Sequence, residues 1–187
     1  MVERVLRVDE RSQGFTELVT ALSGVQVDAC FQCGKCASGC PVAFAMDYTP
    51  TQLVHLIQLG QREEVLSSRT IWLCSACQTC STRCPQGVDL AEVMDALRII
   101  AAREHRAAPV PAVPAFLRHS IGNIGVFGRT YELGLMASLK LSTGDIRQDL
   151  GLGLRMLGKG KFNLLPGFRG SGTARRIIRR VKAREKT

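Results

Sequence analysis

Two cysteine-rich stretches decide the fold of this chain: residues 30–41, C-F-Q-C-G-K-C-A-S-G-C-P, and residues 74–85, C-S-A-C-Q-T-C-S-T-R-C-P. Both have the spacing C-x2-C-x2-C-x3-C-P, and the second begins 44 positions after the first. All eight cysteines of the 187-residue chain lie in these two runs. Such a concentration of thiols at matched spacing predicts either metal or cofactor sites or a disulfide framework.

Three kinds of cysteine site compete at this spacing. Disulfides are disfavoured because the N-terminal residues lack the apolar core of an export signal, and thiols of cytosolic proteins stay reduced. Structural zinc is disfavoured because it uses two separated C-x2-C pairs around one ion. Bacterial iron–sulfur proteins have this spacing, and in two-cluster proteins the fourth cysteine binds the other cluster. We therefore predict two [4Fe-4S] clusters as the cofactors.

The spacing also predicts which thiols share a cluster. The first three cysteines of a run form a tight loop around one cluster, and the proline after the fourth turns the chain toward the neighbouring cluster. The predicted ligands of cluster 1 are Cys30, Cys33, Cys36 and Cys84, and those of cluster 2 are Cys74, Cys77, Cys80 and Cys40. Two cubanes use all eight thiolates, so we expect no vacant iron and no catalytic residue in this chain.

Helix signals surround the two runs. Thr49, Pro50 and Gln52 have the pattern of a helix N-terminus with a capping box. Asp89 begins a second helix, and an apolar stripe follows it: Leu90, Val93, Met94, Leu97 and Ala101. Two short helices are expected over 15–22 and 61–66. The predicted fold class is therefore all-α, an α-helical ferredoxin module that binds two [4Fe-4S] clusters.

Three aromatic side chains stand close to the cysteines in sequence: Phe31, Phe44 and Trp72. Two roles are open for them. They either shield the clusters from water or pack in an ordinary core, since large aromatic side chains are mostly buried in folded proteins.

Charge and composition divide the chain into segments. Residues 1–103 carry 9 basic and 11 acidic side chains, whereas residues 104–187 carry 16 basic and 5 acidic ones. We expect a two-cluster domain over 1–106, a proline-rich linker over 107–115 and a basic, helical C-terminal extension over 116–187. The extension is expected to dock onto a partner, and the alternative is a small helical subdomain packed on the cluster module.

Composition excludes several classes of protein. The longest membrane-helix candidate, 121–141, is interrupted by Arg129, Glu132 and Lys140, so it falls short of the roughly 20 apolar residues that a span needs. We expect a cytoplasmic protein, with peripheral membrane contact as a minor alternative. The basic stretch 173–186 suits nucleic acid, an anionic membrane, an acidic protein or plain solvent. It lacks the interleaved aromatics that stack on bases, so no nucleic-acid partner is expected.

The paired runs, the helical spacer and the extension together resemble the C subunit of heterodisulfide reductase. The resemblance is strongest over 29–106 and weaker over 156–166, M-L-G-K-G-K-F-N-L-L-P. Iron–sulfur subunits of succinate dehydrogenase and glycolate oxidase have related modules, but this chain shows neither a plant-type ferredoxin domain before the runs nor a cysteine-rich catalytic domain after them.

The resemblance implies an electron-transfer subunit of an oxidoreductase. The C subunit of that family carries electrons between a flavin-containing A subunit and a B subunit that cleaves a disulfide at its CCG motifs. This chain has no adjacent cysteine pair, in keeping with catalysis elsewhere. The alternatives are a free-standing ferredoxin, an iron–sulfur subunit of another dehydrogenase, and a nucleic-acid-binding protein with structural clusters.

Overall fold

A computed structural model describes residues 11–144, 151, 155–156, 158–159 and 166–184. Within these residues all regular structure is helical, which confirms the all-α prediction. The chain divides into two compact units, and the boundary in the sequence falls between Pro111 and Ala112. Most of the tail segment 156–166 and the last residues of the predicted basic helix lie outside the described part.

The first unit is built from short helices. Its α-helices are α1 (Arg11–Ser23), α2 (Lys35–Ser38), α3 (Pro50–Gln58), α4 (Arg62–Leu66), α5 (Thr70–Leu73), α6 (Thr79–Arg83) and α7 (Leu90–Arg103). Two 3-10 helices cover Val27–Ala29 and Ala43–Ala45. The helices α2 and α6 each follow the second cysteine of a run, so both runs end in one helical turn.

The predicted helix starts are confirmed. The Thr49 amide donates to Gln52 Oε1 at 2.9 Å, and the Gln52 amide donates back to Thr49 Oγ1, which completes the capping box at α3. Asp89 caps α7, because its Oδ1 accepts a hydrogen bond from the Glu92 amide at 3.3 Å. The helix α4 matches the predicted short helix, whereas α1 is longer than the predicted 15–22.

The core of the first unit lies between α1, α3, α4 and α7. The whole predicted stripe of α7 is buried: Leu90, Val93, Met94, Leu97 and Ala101. Its apolar neighbours on the other helices are Phe15, Val19, Leu53, Ile57, Val65 and Leu66. Burial of each large apolar side chain stabilises the folded state by about 1.5–3 kcal/mol. The buried Thr16 hydroxyl donates to the Ile57 carbonyl at 2.8 Å, which joins α1 to α3 without an unpaired polar group.

Asp47 connects the two cysteine runs. It follows the first run, and its carboxylate accepts hydrogen bonds from the Arg69 amide (2.7 Å) and from the amide and hydroxyl of Thr70 (3.0 and 2.6 Å). These donors form the N-terminal turn of α5, which leads directly into Cys74. Partial burial raises the pKa of Asp47, but the hydrogen bonds from Thr70 and Arg69 outweigh it, so the pKa lies below its ordinary value.

The second unit contains three described helices: α8 (Ala112–Phe127), α9 (Glu132–Thr143) and α10 (Ser171–Arg184). Both α9 and α10 pack against α8. The buried side chain of Asn123 holds the turn between α8 and α9, because its amide donates to the Tyr131 carbonyl and its Oδ1 accepts from the Tyr131 amide at 2.6 Å. On the other side, Arg175 of α10 donates to the Gly125 carbonyl of α8 at 2.9 Å.

The extension begins earlier than the sequence predicts. The helix α8 begins inside the predicted linker 107–115, because Pro114 falls in its first turn, where the missing N–H has no intrahelical partner. Gly122 and Gly125 lie within α8 without interrupting it. A Cβ atom on Gly125 would lie 3.3 Å from the side chain of Ile178, so the glycine allows α10 to approach α8 closely.

None of the described helices is both long and apolar enough to cross a membrane.

Candidate metal centre

The two cysteine runs have the same backbone conformation. In the first run Gln32 and Gly34 have φ of 60° and 78°, and in the second Ala76 and Gln78 have φ of 51° and 61°. Each pair of positions is 44 residues apart, the same offset as the cysteines. Alternation of left-handed and ordinary residues turns successive backbone N–H groups to one side, which is the arrangement found around iron–sulfur clusters and other anions. Both runs therefore form cradles of one kind.

Cys84 of the second run lies near the cysteines of the first. Burial raises the pKa of the Cys30 thiol, and the negative charges of Cys36, Cys84 and Cys33 raise it further. Three of these four thiols are consecutive cysteines of one run, and the fourth comes from 48 residues beyond Cys36. The first cradle therefore contains four thiols drawn from both runs.

Cys40 of the first run likewise lies near the cysteines of the second run. Four cysteines line one cavity: Cys40, Cys74, Cys77 and Cys80. Apolar side chains close part of its wall: Val42, Met46, Pro50, Ala91 and Met94. Burial raises the pKa of Cys80, and the charge of Cys74 adds to the effect. The second cradle therefore also combines three thiols of its own run with one from the other.

Contact between α2 and α6 makes this exchange possible. A Cβ atom on Gly39 would collide with the guanidinium of Arg83, so a glycine before Cys40 lets the two helical turns meet without displacing that side chain. Arg83 precedes Cys84 and is the position that corresponds to Gly39 in the second run. The two residues before the fourth cysteines thus pack on each other.

Hydrogen-bond donors surround the sulfur atoms. The Val88 amide donates to Cys84 Sγ at 3.3 Å, and Gln32 Nε2 donates to Cys30 Sγ at 3.6 Å. Sulfur atoms accept such bonds at longer distances than oxygen does, and donors of this kind stabilise the negative charge of a ligated thiolate. The sequence does not single out either donor, because a backbone amide and a neutral glutamine carry no local pattern.

Hydroxyl groups reach two further cysteines. Thr51 Oγ1 lies 3.2 Å from Cys36 Sγ, and Thr79 Oγ1 lies 3.3 Å from Cys77 Sγ. Hydrogen bonds with Thr79 lower the pKa of the Cys77 thiol, whereas burial raises the pKa of the half-buried Cys80 in the same site. Thr51 stands in the first turn of α3, so the helix start that the sequence predicts also delivers a donor to the first cradle.

The three aromatic side chains near the cysteines differ in their exposure. Trp72 is buried in the core, but Phe31 and Phe44 are 57% and 90% exposed. Phe31 and Phe44 therefore do not pack in the core, and shielding of the clusters by their rings stays a prediction.

The donor set fits two cubane clusters better than the alternatives. All eight thiols are free of disulfide bonds. Among the described residues no group of three His, Cys, Asp or Glu side chains is placed to hold a single ion. Thiolates that bind different irons of one cubane stand further apart than thiolates that share an ion. Soft thiolate ligands and inward-facing N–H groups are what a [4Fe-4S] cluster requires.

The class of protein to which the chain belongs is shown by a match to a known domain family. The family described as a 4Fe-4S dicluster domain matches residues 26–88, which contain both cysteine runs. The chain is therefore a helical dicluster ferredoxin, and its cofactors are two [4Fe-4S] clusters, as the cysteine spacing predicts.

Similarity to individual proteins then defines the family. The chain is 30% identical over 132 residues to the C subunit of the H(2):CoB-CoM heterodisulfide,ferredoxin reductase of Methanothermobacter marburgensis, which covers 70% of this chain and 71% of that protein. It is 31% identical over 134 residues to the C subunit of the ferredoxin:CoB-CoM heterodisulfide reductase of Methanosarcina mazei, covering 72% and 75%. The corresponding subunit of Methanosarcina acetivorans is 38% identical over 140 residues, covering 69% and 56%. This chain belongs to the family of heterodisulfide reductase C subunits, and it is an iron–sulfur electron-transfer subunit of an oxidoreductase.

Proposed function

We propose that this chain relays electrons between a flavin-containing A subunit and a catalytic, CCG-motif B subunit of a heterodisulfide reductase-type complex. One observation carries the proposal: Cys33 of the first run and Cys77 of the second are both exposed. A relay needs one accessible edge for its donor and another for its acceptor, and each run supplies one. The clusters themselves supply the uptake and release of single electrons.

The proposed ligation is crossed between the runs. Cluster 1 is assigned to Cys30, Cys33, Cys36 and Cys84, and cluster 2 to Cys74, Cys77, Cys80 and Cys40. The assignment is supported by the electrostatic influence of Cys84 on Cys30 and by the cavity that Cys40 shares with the second run. Crossed ligands hold the clusters close together, which favours stepwise transfer from one to the other.

The chain is proposed to be non-catalytic. All eight thiolates serve as cluster ligands, so no iron retains an open position for a substrate. Disulfide chemistry is therefore assigned to the CCG-motif partner. Ligation by eight reduced thiols also suits the reducing cytoplasm, where we place the complex.

The extension is proposed to be the part that docks onto a partner subunit. Its described helices leave large apolar side chains about half exposed or more: Phe116, Leu117, Ile121, Val126, Met136, Leu141, Ile177 and Val181. Exposed apolar surface of this extent is typical of a protein–protein contact. Ile177→Asp together with Val181→Asp is expected to abolish co-purification with the other subunits, whereas Arg176→Gln on the same helix is expected to preserve it. Equal recovery of those subunits with both variants would contradict the docking role.

The ligation is tested by comparing electron paramagnetic resonance spectra of four variants of the anaerobically purified full chain. Crossed ligation predicts that Cys84→Ser alters the same signal as Cys33→Ser, and that Cys40→Ser alters the same signal as Cys77→Ser. Ligation within each run predicts the opposite pairing, Cys84→Ser with Cys77→Ser. The pairing of the variants decides between the two schemes even when neither signal has been assigned to a cluster.

The relay is tested in the assembled complex. The flavin of the A subunit is reduced, and its reoxidation is followed after a disulfide acceptor is supplied to the CCG-motif partner. Cys77→Ser is expected to slow reoxidation at least tenfold, whereas Glu17→Ala, an exposed carboxylate on α1, leaves it unchanged. Reoxidation at the full rate when this chain is omitted would refute the relay. A chain that purifies only as a monomer would favour a free-standing ferredoxin.

A further inference from the structure

Two side chains from different helices hold the two cysteine runs in the same way. Gln58 Nε2 donates to the carbonyl of Val27 (3.2 Å) and to that of Cys30 (3.0 Å). Arg98 donates through Nε to the carbonyl of Ile71 (2.6 Å) and through Nη2 to that of Cys74 (2.8 Å).

The four carbonyls correspond by the repeat. Val27 and Ile71, like Cys30 and Cys74, are 44 positions apart. Each run therefore enters its cradle through a clamp on the same two carbonyls, one at the first cysteine and one three residues before it. The clamps differ in the side chain that provides them, a glutamine at the end of α3 and an arginine within α7.

The two clamps have equivalent hydrogen bonds but different charges. Gln58 is a neutral amide, whereas Arg98 is always protonated, and its side chain is only 20% exposed. Its third contact is with Asp95, at 2.9 Å, but Asp95 is 51% exposed and therefore more strongly screened by water. A partly buried positive charge acts on its surroundings more strongly than an exposed one does.

Other charged groups near the runs do not reproduce this asymmetry. Asp28 and Lys35 by the first run, Asp47 between the runs and Arg83 at their contact are all exposed to solvent, where screening weakens them. Asp89 is half-buried beside the second run, but it caps α7 and accepts the Ser81 hydroxyl at 2.5 Å. The positive end of the helix and these donors offset its charge.

We propose that the Arg98 clamp raises the reduction potential of the cluster held by Cys74, Cys77 and Cys80 above that of the cluster held by the Gln58 clamp. Reduction adds one electron and one negative charge to a cluster, and a fixed positive charge favours the more negative state. An electron that enters the chain therefore moves from the reduced first cluster to the oxidised second one, with no proton or ligand exchanged.

This inference rests on the relay proposed above, but not on which run supplies the fourth ligand. Arg98 contacts the run that provides three ligands of the second cluster under either ligation scheme. Different measurements can refute the clamp and the relay. The relay is judged by electron flow in the assembled complex, whereas the clamp is judged by the potentials of this chain by itself.

The test is a redox titration of the full, cluster-loaded chain, followed by electron paramagnetic resonance. Cys77→Ser marks the signal of the second cluster. Arg98→Gln is expected to reduce the equilibrium constant for reduction of that cluster about tenfold, which is a fall of 59 mV for a one-electron couple. The first cluster should change much less. Arg98→Lys keeps the charge but loses the fork of donors, so it should retain most of the potential.

Two outcomes would overturn the proposal. One is an equal shift of both clusters in Arg98→Gln, and the other is a fall in Arg98→Lys as large as that in Arg98→Gln, which would make the clamp purely structural. If Arg98→Gln loads no cluster, Asp95→Asn decides the matter. It leaves both carbonyl contacts in place and removes the opposing charge, so the potential of the second cluster should rise, and an unchanged or lower potential would refute the role of charge.

Discussion

Removal of the Asp47 carboxylate is expected to loosen the connection between the two cysteine runs. Asp47→Ala deletes three hydrogen bonds to the N-terminal turn of α5, from the Arg69 amide and from the amide and hydroxyl of Thr70. Bonds to a charged group contribute about 1.5–3 kcal/mol each when buried. The site is largely open to solvent, so we expect a total loss of about 2–4 kcal/mol rather than the full sum.

The loss is measured by anaerobic unfolding of the cluster-loaded chain in guanidinium chloride, followed by circular dichroism. With a denaturant slope of about 3 kcal/mol per molar, a loss of 3 kcal/mol lowers the midpoint by about 1 M. Glu17→Ala removes an exposed carboxylate from α1 and is expected to stay within about 0.5 kcal/mol of the unmodified chain. If Asp47→Ala moves the midpoint no further than this control, the carboxylate does not fasten α5.

The pH dependence of the same difference tests the cause. The pKa of Asp47 is lower in the folded chain than its ordinary value, so its contribution is fully present above the unfolded pKa of about 3.9 and is lost as the pH falls through the folded pKa. The midpoints of Asp47→Ala and of the unmodified chain should therefore differ by a constant amount between pH 8 and pH 5. The difference should shrink once the pH falls below about 4, and a difference that stays constant there would show that the folded pKa is not lowered.

Four further substitutions test the backbone conformation and the packing. Gly34→Ala should lower the free energy of unfolding by about 1–2 kcal/mol, because alanine is strained in the left-handed backbone although the space around its Cβ is open. Gln78→Gly at the equivalent position relieves the same strain and should raise the unfolding midpoint. Leu97→Ala should cost about 2–5 kcal/mol, because the side chain is fully buried, and a smaller loss would mean that the core of α7 collapses around the gap. Gly128→Ala should lower the thermal midpoint of the second unit, because its Cβ would collide with the Arg169 carbonyl, and an unchanged midpoint would contradict this contact.

Local signals in the sequence predict the features that local chemistry determines. The cysteine spacing identifies both cofactors because one tight loop must present three thiols at fixed intervals. The start of α3 is predictable because Thr49 and Gln52 satisfy each other across a single turn. The buried stripe of α7 is predictable because apolar residues recur with the helical period, and one face of that helix must meet the core.

Features that depend on distant parts of the chain were not predictable. The Gln58 amide reaches a carbonyl 28 residues away and Arg98 one 24 residues away, and neither side chain belongs to a motif. The exposure of Phe44 contradicts the preference of an aromatic ring for burial, and no neighbour in the sequence signals it. Gly125 looks like a helix breaker in sequence, but its function is to admit Ile178 from a helix about 50 residues later.

The two cradles share their backbone conformation even at positions where their residue types differ. Of the four left-handed positions in the two cradles, three are occupied by non-glycine residues: Gln32, Ala76 and Gln78. Each of these costs about 1–2 kcal/mol relative to an ordinary conformation, so the loops would not adopt this shape for their own stability. The common element is the spacing of the thiols, and the free energy of cluster binding is large enough to offset the strain. We therefore expect cluster loading and folding of these loops to be coupled, with the Gln58 and Arg98 clamps fixing the point where each loop begins.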